Sequence, residues 1–234
     1  HLSMTVPQGA IYGFIGENGS GKSTTEKLIC GHLVPDGGEI KLFGRDYTDP
    51  GVRVRVGALI ENAGCFPGSS VYQNLMMQCI NLGIENADEE IHRVLEIVRM
   101  EDNANLKFKS CSLGMKQRIG IAMALLGDPA LLILDEPTAG LDPRGRERIL
   151  KMIRDYQQEN KTTVLLVSHS MEDIAKYVDR IVVMNRGSKM FDDEPKKVFA
   201  HYEELEKVKI QITRYSYIYN VYDKKEMKKL GLLK

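Results

Sequence analysis

The chain has 234 residues, of which 43% are hydrophobic, so it can bury the core of one large domain or two small ones. Its 32 Lys and Arg residues balance its 32 Asp and Glu residues, so no overall charge indicates a nucleic acid or an anionic membrane as partner. Apolar runs such as residues 131–134 and 164–167 fall far short of the roughly 20 residues that a membrane-spanning helix needs. We therefore expect no nucleic-acid partner, and a membrane role only through another protein.

The cysteines are scattered along the sequence at Cys30, Cys65, Cys79 and Cys111. Because none of them has CxxC spacing, they favour a reducing compartment and argue against a zinc site and a disulfide framework.

Alternating apolar and polar residues at positions 2–6 predict a half-buried strand near the N-terminus. The chain starts at His1 without an initiating Met or a signal peptide, so we expect that residues upstream of this strand are missing. A turn at residues 35–38 leads into a second alternating strand at 39–43. We expect these two strands to pair as a small antiparallel sheet beside the main one.

An apolar strand at residues 10–15 runs into a glycine-rich turn and then into Lys-Ser at the start of a helix. This arrangement cradles a triphosphate, because bare backbone N–H groups converge on phosphate oxygens at the positive end of the helix. Lys22 would reach the β- and γ-phosphates, and the hydroxyl of Ser23 would bind Mg²⁺. The alternative, for this segment alone, is an ordinary glycine turn before a helix. The predicted nucleotide-binding residues of this phosphate loop are Gly16, Asn18, Gly19, Ser20, Gly21, Lys22, Ser23 and Thr24.

A third strand is predicted at residues 54–60 and ends on Glu61. From residue 71 to residue 127 the pattern changes to helix, with two amphipathic stretches at 88–100 and 115–126. The apolar face of the first is Ile91, Val94, Leu95 and Val98, and that of the second is Ile119, Ala122, Met123 and Leu126. A helical insert of this kind is typical of a separate lobe.

The apolar runs at residues 131–134 and 164–167 predict parallel strands that are covered on both faces. The first run is followed by Asp135 and Glu136, and the second leads to His169. Since ligands of an open α/β sheet bind outside the carboxyl ends of the strands, we expect these residues, Glu61 and the phosphate loop at one edge. One more apolar strand is predicted at residues 179–184.

The residues beyond 191 are rich in Lys and Tyr, and only residues 208–212 alternate as a strand would. One interpretation is a docking surface. We favour the other, a solvated or partly packed extension.

Four motifs in one order along the chain resemble those of the ATP-binding cassette (ABC) superfamily. Residues 112–118, Ser-Leu-Gly-Met-Lys-Gln-Arg, resemble its signature, and residues 131–137, Leu-Leu-Ile-Leu-Asp-Glu-Pro, resemble its Walker B strand. Residues 139–142, Ala-Gly-Leu-Asp, resemble its D-loop, and His169 resembles its switch histidine. The resemblance covers roughly residues 2–190.

This resemblance implies roles for the residues at the predicted sheet edge. Asp135 would hold Mg²⁺ through water, and Glu136 would be the general base that orients or deprotonates the attacking water. His169 would contact the γ-phosphate and Glu136, although an isolated histidine is more often a satisfied core residue. Together with Lys22, Glu136 and His169 form the predicted catalytic set.

Ser112 and Gly114 open a helix that, in the family, binds the γ-phosphate held by the other subunit. A helix N-terminus with a free hydroxyl is an anion site. A plain N-cap is also a sound interpretation of Ser112, because capping uses the same end of the helix. The resemblance also places Asp142, in the D-loop, at the nucleotide site.

The sequence departs from the family at three points. Cys111, Leu113 and Met115 stand where the common signature has Leu, Gly and Gln. Glu61 stands where the family has Gln: either it serves Mg²⁺ and transport coupling, which we favour, or it is an exposed carboxylate without a special role. The adenine-stacking aromatic of the family precedes the first strand, upstream of this chain, and Tyr12 is expected in the core instead.

The predicted fold is therefore α/β, a P-loop NTPase core of RecA-like type with a mostly parallel sheet, a small antiparallel β subdomain and a helical lobe. The core and its β subdomain would occupy residues 1–70 and 128–190, the helical signature lobe residues 71–127, and a C-terminal extension residues 191–234.

The resemblance implies an ATP-binding and ATP-hydrolysing subunit of an ABC transporter, with ATP and Mg²⁺ as cofactors. It would work as a nucleotide-sandwich homodimer or heterodimer on a separate integral-membrane permease, at the cytoplasmic face of the cell membrane. Residues 57–62 further resemble ATPase subunits of bacitracin-resistance and lantibiotic self-protection exporters, which favours export of an antimicrobial peptide or antibiotic. The alternatives are a non-transport ABC ATPase acting on DNA or ribosomes, and a non-hydrolysing regulator, against which Glu136 argues.

Overall fold

The computed structural model describes residues 2–208 and 210. The strands are β1 Ile11–Gly16, β2 Lys41–Leu42, β3 Arg45–Asp46, β4 Val56–Leu59, β5 Leu131–Asp135, β6 Thr163–Val167, β7 Arg180–Asn185 and β8 Ser188–Asp193. The helices are α1 Lys22–Ile29, α2 Pro50–Arg53, α3 Val71–Leu82, α4 Ala87–Val98, α5 Leu113–Leu125, α6 Pro143–Asn160, α7 Met171–Tyr177, α8 Pro195–Ala200 and α9 Tyr202–Lys207. Short 3-10 turns occur at Glu101–Asn103 and Phe108–Ser110.

The main sheet has the strand order β4-β5-β6-β1-β7-β8, in which all neighbours are parallel except β7 and β8. The predicted α/β fold with a mostly parallel sheet is confirmed. Strands β1, β5 and β6 are buried almost throughout, as their continuous apolar sequences require. Because the parallel strands run the same way, the carboxyl ends of β1, β4, β5 and β6 share one edge of the sheet.

Two apolar clusters cover the opposite faces of this sheet. Alternate residues of each strand point to opposite faces, so Ile11 and Ile15 of β1 belong to one cluster, and Tyr12 and Phe14 to the other. Tyr12 is 1% exposed, which confirms its place in the core. The first cluster is continuous with the buried residues of α3, α4 and α5.

The helices predicted between residues 71 and 127 are present as α3, α4 and α5. On α4 the buried residues are those of the predicted face: Ile91, Val94, Leu95 and Val98. The face predicted for α5 was too narrow, since Gly120, Ile121, Ala124 and Leu125 are buried as well, and Met123 is only half-buried. The reason is that α5 packs against β4 and β5 as well as against α3 and α4.

The small antiparallel sheet forms with a partner that differs from the prediction. Strand β2 pairs with β3 through a two-residue turn, Phe43 and Gly44, with φ values of 55° and 78°. Positive φ at both turn residues matches the twist of a tight hairpin, so the adjacent segment takes the pairing. Residues 2–6 are described and belong to no strand, although their exposure alternates and their apolar side chains pack on the second cluster.

Three elements at the C-terminal end were not predicted: β8, α8 and α9. Strand β8 lies at the sheet edge and carries charged residues such as Lys189 and Asp192, so its sequence lacks a clear apolar pattern. It also crosses the predicted boundary at residue 191. The Tyr-rich tail from residue 211 onward, and most of the strand predicted at 208–212, lie outside the described residues. Of the helices that the structure describes, none is long and apolar enough to cross a membrane.

Candidate functional site

The phosphate loop is a turn between β1 and α1 that depends on glycine. The backbone φ is +78° at Gly19 and +104° at Gly21, a region that L side chains rarely adopt. A Cβ on Gly16 would collide with the carbonyl oxygen of Met184 and approach the Ser20 hydroxyl. Gly21 is the N-cap of α1 and offers no side chain to its first N–H groups. These N–H groups are therefore available to an anion.

The amine of Lys22 lies across the same loop. It donates hydrogen bonds to the carbonyl oxygens of Gly16 at 2.6 Å and Glu17 at 3.0 Å. Burial lowers the pKa of this amine, while the nearby carboxyl groups of Glu136 and Asp135 oppose that shift. The loop thus combines open N–H groups with one buried cation, which suits a phosphate chain.

Asp135 is the last residue of β5 and lies close to Lys22 and Glu61. Burial raises the pKa of its carboxyl, and the charge of Lys22 lowers it. The carboxylate of Glu61 raises this pKa, whereas the Glu61 backbone N–H lowers it through a hydrogen bond. The predicted gathering of Asp135, Glu61 and the phosphate loop at one sheet edge is therefore present in the structure.

Glu136 follows β5 in a left-handed backbone conformation, with φ of 47°. Its N–H donates to the carbonyl oxygen of Val167 at 3.0 Å, which ties it to the end of β6. Its Oε1 lies 3.5 Å from Nε2 of His169. The turn therefore directs the carboxyl toward the imidazole.

Burial raises the pKa of Glu136 to about 7, and the backbone N–H of His169 opposes this shift. Burial and the charge of Lys22 lower the pKa of His169 below its usual value. At neutral pH the imidazole is therefore uncharged, and the carboxyl is near its midpoint. A group that exchanges a proton near the working pH is suited to general-base catalysis.

The carboxylate of Glu61 points away from Glu136 and His169. The side chain is 63% exposed, and its Oε1 lies 2.8 Å from Nζ of Lys27. The hydrogen bond and charge of Lys27 hold the pKa of the Glu61 carboxyl below its usual value. In this structure the carboxylate of Glu61 binds Lys27, and it is the backbone N–H that binds Asp135.

The start of α5 carries the signature residues. The Ser112 hydroxyl accepts a hydrogen bond from the N–H of Met115 at 3.3 Å, so it is an N-cap. A Cβ on Gly140 would lie 2.8 Å from Cδ2 of Leu113, which shows that the signature and the D-loop lie against each other. Asp142 caps α6 by accepting from the N–H of Gly145 at 2.8 Å.

In the described part of the chain, Ser112, Gly114 and Asp142 make no hydrogen bond to the phosphate loop. The structure therefore brings together the phosphate loop, Asp135, Glu136 and His169, and leaves the signature residues outside this group.

A cleft of about 550 Å³ opens between the phosphate loop and the residues after β6. Its lining consists of Gly16, Glu17, Asn18, Ser168, His169, Met171 and Ile210. Within residues 2–208 and 210, no group of three acidic, His or Cys side chains could hold a metal alone. Mg²⁺ fits this donor set, because it binds one or two protein oxygens and completes its shell with phosphate and water. Ser23 and Asp135 would hold it at the mouth of the phosphate loop.

Glu26 is a member of this region that the sequence analysis missed. It lies on α1 and is fully buried, at 0% exposure. Burial and the charge of Asp135 raise its pKa to about 8, against the opposing charge of Lys22. The signal in the sequence is its i, i+4 spacing from Lys22, which places both side chains on one helix face.

The sequence profile described as ABC transporter matches residues 1–139 of the chain. The bacitracin transport ATP-binding protein BcrA of Bacillus licheniformis is 38% identical over 197 residues, which cover 83% of this chain and 64% of that protein. The chain thus spans somewhat less than two thirds of BcrA. The energy-coupling factor transporter ATP-binding protein EcfA1 of Geobacillus kaustophilus is 37% identical over 218 residues, which cover 91% of this chain and 78% of that protein.

The fold also matches a solved structure, cbiO1 from Clostridium perfringens, described as part of the ABC transporter complex cbiONQ. The TM-score is 0.77 at 30% identity, with 93% of this chain and 90% of that chain covered.

Proposed function

The chain belongs to the ABC transporter family, and from that premise we propose that it binds and hydrolyses ATP as the ATP-binding subunit of a transporter. The observation that carries this proposal is the placement of Glu136. Its carboxyl, with a pKa of about 7, lies 3.5 Å from His169 beside the phosphate loop.

In the proposed reaction the chain positions groups and stabilises charge, since phosphoryl transfer needs little covalent chemistry from the protein. The N–H groups of the loop and the amine of Lys22 bind the β- and γ-phosphates. Bound Mg²⁺ would neutralise charge on the phosphates, with Ser23 and Asp135 as its protein partners. Glu136 orients the attacking water and takes its proton. The neutral imidazole of His169 holds the Glu136 carboxyl and contacts the γ-phosphate.

We further propose that two such subunits close around two nucleotides, with Ser112 and Gly114 of each against the γ-phosphate held by the other. The exposed start of α5 supports this, because Leu113 is 50% exposed and the helix end is open to a second molecule. Asp142 would lie beside the same phosphate. The contact would be two-fold symmetric if both subunits are copies of this chain.

The subunit pair would act on a separate integral-membrane permease at the cytoplasmic face of the membrane. We assign residues 1–70 and 128–190 to the nucleotide-binding core, which β8 extends to residue 193, residues 71–127 to the helical signature lobe, and the residues after β8 to an extension. The likeness to BcrA and the sequence of residues 57–62 support export of an antimicrobial peptide or antibiotic. The likeness to EcfA1 extends over more of the chain, so the cargo needs its own test.

The ATPase proposal is tested by measuring phosphate release from Mg²⁺-ATP for the wild type and for Glu136→Gln. We expect a fall of roughly 10²- to 10⁴-fold in rate with ATP affinity retained, since the amide cannot take a proton. Equal rates in both proteins would contradict the assigned base.

The transporter proposal is tested by isolating the tagged chain with its bound proteins. We expect an integral-membrane permease to copurify with it, and bacitracin-type antibiotics to be tolerated better when both are expressed. Copurification with ribosomes or DNA instead would indicate a non-transport ABC ATPase.

A further inference from the structure

Glu26 has a buried carboxyl that none of the roles above uses. It is 0% exposed, and neither of its carboxyl oxygens has a hydrogen-bond partner within the described residues. Burying a polar group without a partner costs free energy, and such groups are rare in folded proteins. A leucine would fill the same helix position without this cost.

The charged groups that act on Glu26 belong to the nucleotide site. Asp135 and Glu136 act on it from the end of β5, and Lys22 and Lys27 act on it from α1 itself. Cys30, one turn further along α1, is close enough for the charge of Glu26 to raise its pKa. The unpartnered carboxyl therefore lies within electrostatic range of Asp135 and Lys22.

We propose that Glu26 is a positioning residue for the cation of this site, and that its carboxyl accepts a hydrogen bond from water bound to that cation. This inference rests on the proposed function, because the cation arrives with the nucleotide. Outer-shell carboxyl groups that hold the ligands of a metal typically change metal affinity by 10- to 100-fold.

The protonation of Glu26 is consistent with this role. Its pKa of about 8 keeps it mostly protonated at neutral pH. Lys22 and Lys27 do not fully compensate its charge, since the carboxyl groups of Asp135 and Glu136 act in the opposite direction. An added divalent cation supplies the positive charge that this cluster lacks.

The test compares ATP binding with excess Mg²⁺ and with EDTA by calorimetry. The quantity measured is the dissociation constant of ATP in EDTA divided by that in Mg²⁺. This ratio reports what Mg²⁺ adds to binding. Glu26→Gln keeps the shape of the side chain, and Glu26→Leu replaces it with an apolar group that folds without an unpartnered carboxyl. Glu96→Gln makes the same substitution at an exposed carboxylate on α4 and is the control.

We expect both Glu26 variants to lower this ratio about tenfold, with the EDTA affinity unchanged or slightly higher, and Glu96→Gln to behave as wild type. A ratio equal to that of wild type in both Glu26 variants would overturn the inference. A parallel loss of both affinities would also overturn it, because that result indicates a structural role. Absence of ATP binding by the wild type would instead contradict the proposed function itself.

Discussion

The starts of α1 and α5 both present the backbone N–H groups of a helix N-terminus, but in different surroundings. Gly21 leaves the start of α1 without a side-chain cap. The buried amine of Lys22 lies on the loop, and the carboxyl groups of Glu136, Glu26 and Asp135 act on it. The start of α5 is capped by Ser112 and exposed at Leu113. The groups at the first site all belong to one chain. In our proposal, the second becomes a phosphate site when another molecule approaches it.

The two regions also differ in their effect on the stability of the fold. The α1 region buries ionisable groups with shifted pKa values. Burying them costs stability, and the shifted pKa values suit such groups to catalysis. The α5 region contains a satisfied cap and a helix packed against β4, β5, α3 and α4, so its parts stabilise the fold without a ligand. Substitutions on α1 should therefore change ATP binding or the pH dependence of stability. Substitution of the α5 cap should change the rate of hydrolysis.

The largest effect is expected from Glu26→Leu on stability at alkaline pH. Because burial raises the folded-state pKa of Glu26 to about 8, the folded protein binds its proton more tightly than the unfolded chain does. Stability is therefore highest below the unfolded pKa of about 4.5 and falls as pH rises toward 8.

The shift sets an upper limit of about 5 kcal/mol on this loss. Denaturant unfolding should show Glu26→Leu to be more stable than wild type at pH 8, with a smaller difference near pH 5. A constant difference across this pH range would contradict a buried, titrating Glu26.

Lys22→Ala should weaken ATP binding roughly 100-fold, because a charged hydrogen-bond donor to phosphate is lost. The matched control is Lys27→Ala, five residues along α1, since Lys27 pairs with Glu61 instead of lying on the loop. Calorimetric titration with ATP should separate the two variants. Equal affinities would show that the loop amine does not bind phosphate.

Ser112→Ala should slow hydrolysis about tenfold while leaving ATP binding to the separate subunit unchanged, since its phosphate partner lies on another molecule. Ser70→Ala is the control, because Ser70 caps α3 in the same way, with its hydroxyl 3.1 Å from the N–H of Gln73. Both should lose about 1 kcal/mol of stability. If both also hydrolyse ATP at the same rate, the signature serine is only a cap.

The smallest effect is expected from Glu61→Gln. The change weakens an exposed pair with Lys27 and leaves the Glu61 backbone N–H on Asp135 in place. ATP affinity in Mg²⁺ should stay near that of wild type, and only the coupling of hydrolysis to the permease should change. A collapse of Mg²⁺-dependent affinity would make the carboxylate itself a ligand of the metal.

Strands and helix faces that follow from their own residues could be predicted from the sequence. Features that depend on a turn or on a position at the sheet edge could not. Continuous apolar strands such as β5 and β6 and the amphipathic face of α4 were predicted correctly. The pairing of β2 was not, because a two-residue turn at Phe43 and Gly44 decides it. Strand β8 escaped prediction because an edge strand with charged residues has little apolar pattern.

The candidate site divides in the same way. The phosphate loop and the residues ending β5 and β6 follow from motif and sheet topology, so their meeting at one edge could be expected. The ion pair between Lys27 and Glu61 could not, because it depends on two side chains from separate elements. Nor could the environment of Glu26, since burial of one helix face against Asp135 is a property of the packed fold.

The proposal that two subunits complete each other's site is tested most directly by light scattering of Glu136→Gln with ATP and with ADP. Slow hydrolysis should let ATP accumulate between two chains, so ATP should raise the dimer population by mass action. ADP lacks the phosphate that would join Ser112 of one chain to Lys22 of the other, so it should leave the protein monomeric. A monomer with both nucleotides, or a dimer with both, would contradict the account.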